Sequence, residues 1–234
     1  MTIEVIVLAA GRGTRMASSC PKVLHTLGGR SLLDHALNTA QALDPSHIHV
    51  VVGPENESLA EAQTRGTLIW HIQKERLGTG HAVELAMCAV HESATVLVLY
   101  ADMPLVRVDT LRALCAQAQD NRVVMLTACL DAADGFGRII RDKTGAVTGI
   151  VEEADATVKQ RAIREVNTGI LVAPARRLGQ WLAGVGNGNQ QGERYLTDVV
   201  AMAVADEVDV VAHAVADLDE SLGVNDKVQL AAAE

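Results

Sequence analysis

Short apolar runs alternate with amphipathic stretches through the first half of the chain. Runs of aliphatic and β-branched residues are typical of strands that are buried on both faces of a parallel sheet. They predict strands at Ile3 to Ala10, His47 to Gly53, Leu68 to Gln73, Val96 to Ala101 and Val123 to Leu130. The stretches between them predict helices at Leu32 to Leu43, Asn56 to Arg65, Gly80 to His91 and Val108 to Gln119. This alternation requires right-handed crossovers and a mainly parallel sheet with helices on both faces.

The second half has shorter connections between its apolar segments. These segments predict strands at Arg138 to Arg141, Val147 to Glu153, Val166 to Val172 and Val208 to Val215. Short connections favour mixed or antiparallel pairing. We therefore expect an α/β fold with a Rossmann-like, mainly parallel twisted sheet, helices on both faces and a mixed or antiparallel extension. Ligands bind beyond the carboxyl ends of the strands in such sheets, so motifs at those ends are the first candidates for function.

Length and composition fit one globular domain, and we predict a single domain over residues 1–234, with 49% apolar residues. The apolar run before Gly11 is too short to span a bilayer and has no basic leader, so we expect a cytoplasmic protein. A net charge of -9 with two Trp, two Tyr and one Phe argues against nucleic-acid binding. The widely spaced cysteines predict buried, reduced thiols without a metal: Cys20, Cys88, Cys115 and Cys129.

A glycine-rich basic loop directly follows the first predicted strand. Gly11 and Gly13 permit a tight turn that brings backbone N–H groups close to phosphate oxygens. Their spacing does not fit a Walker A loop, and Met16 stands where the dinucleotide fingerprint has its third glycine. A plain turn between strand and helix is the alternative interpretation of two glycines alone.

The charge around this loop favours the phosphate-binding interpretation. Arg12, Arg15 and Lys22 supply cations, and no Asp or Glu occurs between Glu4 and Asp34. A stretch with only positive charge can attract an anion that the rest of an acidic chain repels. The loop is therefore predicted to bind a nucleotide triphosphate.

Two further sites follow predicted strands. Asp102 lies just beyond the run that begins at Val96, and its carboxylate suits Mg²⁺, which also relies on substrate phosphates for its ligands. The alternative role for Asp102 is a turn or N-cap before the helix at Val108. Gln73, with Gly78 nearby, offers an amide that can donate to and accept from a pyrimidine, although the glycine also suits a loop that leads into a helix.

The motifs together resemble a known family. LAAGRGTRM followed by PKVL resembles the signature of the sugar-1-phosphate nucleotidylyltransferases. Seven later segments occur in the family's order: QKERLGTGHA, YADMPL, GFGRII, GIVEEADAT, EVNTGI, YLTDVV and GVNDKVQLA. Over the whole chain they resemble the uridylyltransferase domains of the bifunctional bacterial enzymes that make UDP-N-acetylglucosamine.

The resemblance implies transfer of UMP from UTP to N-acetylglucosamine 1-phosphate, with Mg²⁺ as cofactor and pyrophosphate as leaving group. Residues 1–130 would form mainly the nucleotide half and residues 131–234 mainly the sugar half. Substrate contacts are implied at Leu8, Ala9, Ala10, Gly11, Gly13, Lys22, Gln73, Gly78, Thr79, Tyr100, Ala101, Asp102, Gly137, Glu152, Asn167 and Asn225. Catalytic roles are implied for Arg15, Lys22 and Asp102, and metal ligation for Asp102 and Asn225. Without the resemblance, Asn225 reads as the N-cap of a final short helix.

Three positions depart from the family pattern. Ala101 stands where a glycine commonly precedes the aspartate, Arg76 where a neutral residue is usual and Arg194 where a second tyrosine often occurs. The two arginines either alter sugar contacts or lie on the surface.

The family's hexapeptide-repeat acetyltransferase domain does not appear in this sequence. We therefore expect no acetyltransferase activity and no trimer through that domain, which leaves a monomer as the expected state. Two alternatives stay open for the activity itself. The chain could use another nucleotide, such as CTP, with another sugar phosphate, or it could be a nucleotide-sugar sensor without turnover.

Overall fold

A computed structural model describes residues 2–62, 67–119 and 121–234. The strands are β1 (Ile3–Ala9), β2 (Thr26–Leu27), β3 (Arg30–Ser31), β4 (His47–Val52), β5 (Leu68–Ile72), β6 (Thr95–Tyr100), β7 (Val123–Cys129), β8 (Gly137–Arg141), β9 (Val147–Val151), β10 (Glu165–Pro174) and β11 (Val210–Ala214). The helices are α1 (Leu32–Gln41), α2 (Glu57–Ala62), α3 (Thr79–Met87), α4 (Val108–Gln117), α5 (Val158–Arg161), α6 (Ala175–Gly184), α7 (Asp198–Ala205) and α8 (Lys227–Ala233).

The main sheet has the strand order β11-β7-β10-β6-β1-β4-β5. Strand β10 is antiparallel to both of its neighbours in this order, β6 and β7, whereas the other neighbouring pairs are parallel. The hairpin of β8 and β9 extends the sheet, because β8 pairs antiparallel with β10. The predicted α/β fold with a mainly parallel sheet and a mixed extension is confirmed. The last predicted strand of that extension, β11, runs parallel to β7 and so rejoins the parallel part.

Helices cover both faces of the sheet, and alternate residues of each buried strand contact opposite layers. In β1, Ile6 and Leu8 pack on the side of α3, α6 and α7, whereas Val5 and Val7 pack on the side of α1 and α4. Both layers are needed because both faces of these strands are mainly apolar. The unbroken apolar run in the sequence is the direct cause of this three-layer arrangement.

Helix α6 was absent from the sequence-based elements. Its apolar side chains Leu178, Trp181 and Leu182 are buried at helical spacing, but Gly179 and Gly184 lower its helix propensity. In the predicted helix from Asn56 to Arg65, α2 accounts for Glu57–Ala62, and residues 63–65 lie outside the described residues. In the ranges that the structure describes, no helix is both long and apolar enough to cross a membrane.

The cysteines are free thiols, as predicted, but the prediction that they are buried is wrong for three of them. Cys115 is buried, and burial raises the pKa of its thiol to about 11. Cys20, Cys88 and Cys129 are exposed. Apolar neighbours in sequence do not settle burial here, because Cys88 and Cys129 lie at the ends of α3 and β7, where the covered surface stops.

Candidate functional site

A cavity of about 320 Å³ lies at the carboxyl ends of β1, β5 and β6. We call it the carboxyl-edge cavity. It is lined by Leu8, Ala9, Ala10, Gly11, Arg12, Lys22, Val23, Gln73, Arg76, Gly78, Thr79, Ala82, Tyr100, Asp102 and Glu193. Three separate predicted motifs thus meet at one place: the glycine loop, the segment from Gln73 to Thr79, and the turn after β6.

A larger cavity of about 540 Å³ lies at the opposite edge of the sheet, beside the start of β6 and the end of β10. Its lining includes Glu92, Thr95, Arg176 and Arg177, and none of the residues that the sequence analysis singles out for function. Its position is also opposite to the edge at which open α/β sheets bind ligands. The chemistry therefore concentrates at the smaller cavity.

The glycine loop begins where β1 ends. The backbone N–H of Ala101 donates to the Leu8 carbonyl at 3.0 Å, which holds the end of β6 beside the end of β1. Gly13 has a φ of +62°, and a side chain there would collide with the stem of Lys22. Glycine is required at this position because the loop must turn with a positive φ while Lys22 packs against it.

The Lys22 ammonium joins the two residues predicted to hold a metal. Its Nζ lies 2.5 Å from Asp102 Oδ2 and donates to Asn225 Oδ1 at 3.1 Å. The Lys22 residue is only 8% exposed, so the positive charge is held inside the cavity wall. A carboxylate oxygen and an amide oxygen therefore converge on one cationic point, although 123 positions separate them in the chain.

The alternative capping roles of these two residues do not occur. Helix α4 has Arg107 at its N-cap position, five residues after Asp102. Asp226, and not Asn225, caps α8 by accepting a hydrogen bond from the Gln229 backbone. The Val224 N–H donates to the Asp102 carbonyl at 2.7 Å, which brings the start of the last helix to the end of β6. Both side chains are thus directed to Lys22 by the chain connections around them.

Gln73 forms another wall of the cavity. It is 3% exposed, and its side-chain amide donates to the Gly78 carbonyl at 3.1 Å and lies 3.1 Å from His81 Nδ1. The Gln73 backbone N–H donates to the Val52 carbonyl at 2.8 Å. Gln73 therefore has a fixed orientation, and it sets the conformation of the loop that leads to α3.

The residues predicted for the sugar lie beside this cavity, around Tyr100. Gly137 and Asn167 are directly paired between β8 and β10. A Cβ on Gly137 would lie 3.2 Å from Glu152 Oε2, so Glu152 packs closely over this glycine. Tyr100 and Asn167 line the same small cleft. Tyr100 also lines the carboxyl-edge cavity. Tyr100 is therefore the link between the two groups of predicted residues.

Glu152 is not the solvated acidic residue that its sequence neighbourhood suggests. The Thr197 hydroxyl donates to Glu152 Oε1 at 2.7 Å. Burial raises the pKa of the Glu152 carboxyl, and the negative charges of Asp198 and Asp155 raise it further. Burial also raises the pKa of the Tyr100 hydroxyl, with a smaller contribution from Glu152. This part of the site is a partly desolvated pocket with hydrogen-bonding groups.

Seven predicted site residues lie outside the cavity lining: Gly13, Arg15, Ala101, Gly137, Glu152, Asn167 and Asn225. Arg15 is exposed on the short helical turn Thr14–Met16, and Arg12 lines the cavity instead. Ala101 is fully buried and contributes through its backbone, as its hydrogen bond to Leu8 shows. Arg12 is thus the loop cation at the cavity, although the resemblance implies Arg15.

The motifs assign no role to other lining residues, although Val23 belongs to PKVL and Ala82 to QKERLGTGHA. Glu193, Val23 and Ala82 reach the cavity through the packing of their elements. Arg76 also lines the cavity: its Nε donates to the Ala10 carbonyl at 2.7 Å, and its guanidinium pairs with Glu55. Neither expectation for Arg76, a sugar contact or a surface position, describes this arrangement on the glycine-loop side.

Comparison with known proteins agrees with the family resemblance of the motifs. The family model described as "MobA-like NTP transferase domain" matches residues 5–198. "Bifunctional protein GlmU" of Alkalilimnicola ehrlichii is 53% identical over 232 residues, which are 99% of this chain and 50% of that protein. "Bifunctional protein GlmU" of Pseudomonas putida strain F1 is 48% identical over 234 residues, which are 100% of this chain and 51% of that protein. The chain thus spans about half the length of the curated relatives it matches.

A solved structure supports the fold independently. The crystal structure of UDP-glucose pyrophosphorylase complexed with UDP-glucose is similar to this chain with a TM-score of 0.76. The similarity covers 92% of this chain and 90% of that one at 17% sequence identity. At this identity the likeness establishes a shared fold and leaves the substrate to be argued from the site.

Proposed function

Because this chain belongs to the family of MobA-like NTP transferase domains, we propose that it transfers UMP from UTP to N-acetylglucosamine 1-phosphate and releases pyrophosphate. The observation that carries this proposal is the convergence of Lys22, Asp102 and Asn225 in a cavity that begins at the glycine loop. Similarity along the whole chain to proteins named "Bifunctional protein GlmU" favours this substrate pair over others.

The nucleotide is assigned to the carboxyl-edge cavity. Backbone groups from Leu8 to Gly11 and at Gly13 would contact the nucleotide, with Arg15 at its β- and γ-phosphates. Gln73 and Gly78 would recognise the uracil edge by hydrogen bonds, with Thr79 beside them, since an amide can both donate and accept. Lys22 would neutralise charge near the α-phosphate.

Proteins of the nucleotidyltransferase family generally use a divalent metal ion, and we assign Mg²⁺ to Asp102 and Asn225. The donor set fits, because both oxygens already contact the same cationic nitrogen and Mg²⁺ prefers carboxylate and amide oxygens. When bound, the ion supplies charge neutralisation at the phosphate oxygens of the substrates. With these two oxygens on an ion, the Lys22 ammonium would be free to contact a phosphate.

The sugar phosphate is assigned to the pocket around Tyr100, between β8, β10 and α7. Glu152 would accept hydrogen bonds from sugar hydroxyls, and Asn167 can donate or accept. Gly137 leaves room for close approach, and the backbone of Ala101 would contact substrate. The domain division follows: residues 1–130 carry mainly nucleotide contacts, and residues 131–234 carry mainly sugar contacts.

The proposed reaction needs positioning more than proton transfer. A phosphate oxygen of N-acetylglucosamine 1-phosphate attacks the α-phosphorus of UTP, a new P–O bond forms, and the bond to pyrophosphate breaks. The nucleophile is already an anion, so no general base is required. The role of the protein is to align the two substrates and to stabilise negative charge, which are large contributions in phosphoryl transfer. Since both substrates are small phosphorylated metabolites, we assign the reaction to the cytoplasm and assign no nucleic-acid or membrane partner.

A substrate panel tests the proposal. UTP, CTP and dTTP are each combined with N-acetylglucosamine 1-phosphate, glucose 1-phosphate and N-acetylgalactosamine 1-phosphate, and pyrophosphate release is measured with and without Mg²⁺. We expect the highest kcat/KM for UTP with N-acetylglucosamine 1-phosphate. A higher kcat/KM for another pair would replace the substrate assignment. Binding of UDP-N-acetylglucosamine without any Mg²⁺-dependent pyrophosphate release would instead support a sensor.

A further inference from the structure

The segment of residues 193–197 is attached to the loop of residues 77–80 by backbone contacts. The Arg194 N–H donates to the Leu77 carbonyl at 2.7 Å, and the Gly80 N–H donates to the Arg194 carbonyl at 2.8 Å. The Leu196 N–H donates to Thr79 Oγ1 at 3.0 Å. At Gly78, φ is +109° and a Cβ would lie 2.5 Å from the Arg194 carbonyl oxygen. Only glycine permits the Arg194 carbonyl to come this close, so the two segments are held in tight contact.

The Arg194 side chain also anchors this segment, through contacts with α6 and α3. Its Nη2 donates to the Leu182 carbonyl at 2.6 Å and its Nε donates to the Val185 carbonyl at 3.1 Å. Both carbonyls are at the end of α6, where a cation is favourable. Its guanidinium also forms a two-pronged pair with Glu84 of α3, with Nη2 to Oε1 at 3.0 Å. Such forked contacts hold an arginine in one orientation.

The residues on either side of Arg194 reach into the proposed site. Glu193 lines the carboxyl-edge cavity, and the Thr197 hydroxyl contacts Glu152 in the sugar pocket. Tyr195 is only 8% exposed, and burial together with the charges of Asp155 and Glu152 raises its pKa to about 12. Helix α3, to which Glu84 belongs, begins at Thr79. One guanidinium therefore connects the elements that carry both groups of substrate contacts.

We propose that Arg194 is a positioning residue that holds residues 193–197 against residues 77–80, so that the nucleotide cavity and the sugar pocket form one aligned site. The inference rests on the proposed function and extends it to a residue outside the proposed substrate contacts. Its contacts are to the protein, so it acts through its neighbours rather than on the substrates.

The test compares Arg194→Ala and Arg194→Lys with wild type. For Arg194→Ala we expect kcat/KM for the sugar phosphate to fall roughly ten- to a hundredfold, with a higher KM, the scale expected for misplacing substrate by about 1 Å. The KM for UTP should change less than that for the sugar phosphate, because the glycine loop, Lys22 and Gln73 line the carboxyl-edge cavity without contacting Arg194. Arg194→Lys should recover part of the loss, since an ammonium can still contact a carbonyl but cannot reproduce the fork.

A matched control separates positioning from general stability. Arg177→Ala removes an arginine of α6 that also forms an ion pair, in this case with Asp206 at 3.4 Å, outside the proposed site. It should leave both KM values unchanged. An Arg194→Ala protein that unfolds at a lower temperature but keeps the wild-type sugar KM would overturn the proposal, since a purely structural role predicts that result. If Arg194→Ala does not fold, Arg194→Lys and Glu84→Gln decide, and wild-type sugar KM values in both would overturn it.

A binding measurement keeps this test separate from the proposed function. Calorimetry compares UTP with UDP-N-acetylglucosamine for wild type and Arg194→Ala. Selective loss of affinity for the nucleotide sugar supports the positioning role even if the wild-type protein shows no turnover. Turnover of a different substrate pair by the wild-type protein would change the assigned substrates, and the KM comparison would then use that pair. Equal affinities of the two proteins for UDP-N-acetylglucosamine would contradict the role of Arg194.

Discussion

Two clusters of polar and ionisable side chains lie on the same sheet and differ in what surrounds them. In the carboxyl-edge cavity, Lys22 contacts Asp102 and Asn225 beside open space. Across β1, β4 and β5, a second cluster, which we call the polar row, joins Glu4, His49 and His71 beneath α3. His49 is fully buried, with Nε2 at 2.8 Å from Glu4 Oε2 and Nδ1 at 3.1 Å from His71 Nε2.

The polar row is closed by protein partners. The His91 backbone N–H donates to Glu4 Oε1 at 3.2 Å, and Glu4 is only 2% exposed. Burial lowers the pKa of His49 and lowers the pKa of His71 to about 4, so both rings are neutral near pH 7. Neutral rings define one direction for the chain: His71 donates to His49, and His49 donates to Glu4.

This difference teaches that charge at a sheet does not by itself mark a functional site. Groups with all their partners inside the protein contribute to stability, because leaving one unpaired is costly. Groups that border a cavity can exchange their partners for a ligand. We therefore expect substitutions in the cavity to change kinetics with little effect on stability, and substitutions in the polar row to do the reverse.

The largest expected effect is that of Lys22→Ala in the cavity. By analogy with removal of one preorganised donor, kcat should fall by about 10² to 10³. The melting temperature should fall only slightly, because Asp102 borders the cavity, where water can replace the lost contact with the ammonium. Steady-state pyrophosphate release and thermal unfolding provide the two measurements. Lys159→Ala, at an exposed position of α5, is the control and should match wild type in both. A kcat near wild type for Lys22→Ala would exclude Lys22 from the mechanism.

Glu4→Gln in the polar row should produce the opposite pattern. The amide keeps the shape of the side chain but replaces the carboxylate that accepts hydrogen bonds from His49 and from the His91 backbone. We expect the free energy of unfolding in urea to fall by about 1–3 kcal/mol, with kcat unchanged. Glu57→Gln, at an exposed position of α2, is the matched control. Loss of activity at unchanged stability would show that the polar row takes part in function.

The sugar side of the cavity can be tested separately from the nucleotide side with Glu152→Gln. We expect the KM for the sugar phosphate to rise about tenfold, equal to about 1.4 kcal/mol, with the KM for UTP unchanged. Because the pKa of Glu152 is raised, its charge is lost at a higher pH than that of an ordinary glutamate. The wild-type sugar KM should therefore rise on the acid side, whereas that of Glu152→Gln should stay flat. Equal changes in both KM values would contradict the division into two sides.

The two clusters also differ in how far the sequence reveals them. The glycine loop and Asp102 each directly follow an apolar run, so their position at the carboxyl edge could be predicted from local pattern. Asn225 joins Lys22 and Asp102 across most of the chain, and only the resemblance to a family indicated it. The pairing of Arg194 with Glu84 depends on how α6 packs on α3, and α6 itself was not predicted.

The polar row was not predictable for a related reason. His49 lies in an apolar run, and its burial is tolerable only because Glu4 and His71 are on the flanking strands. The strand order β1-β4-β5 and the register that pairs Glu4 with His47 decide this contact. One sequence contains no direct signal of strand order, since local periodicity reports which face a residue occupies and not which residue lies beside it.

The smallest expected effect is the pH dependence of stability in His71→Gln, which places an amide near the position of the Nε2 donor. The pKa of His71 in the folded protein is about 4, below the ordinary value of 6.5, so the unfolded chain binds more protons between these values. The stability associated with a neutral His71 is therefore fully present above about pH 6.5 and is lost as the pH falls towards about 4. Melting temperatures of wild type should decline over this window more steeply than those of His71→Gln. His47→Gln, at an exposed position of β4, should follow the wild-type slope. Parallel slopes for wild type and His71→Gln would mean that His71 has the same pKa in the folded and unfolded states. The view that the partners of the polar row lie inside the protein would then be wrong.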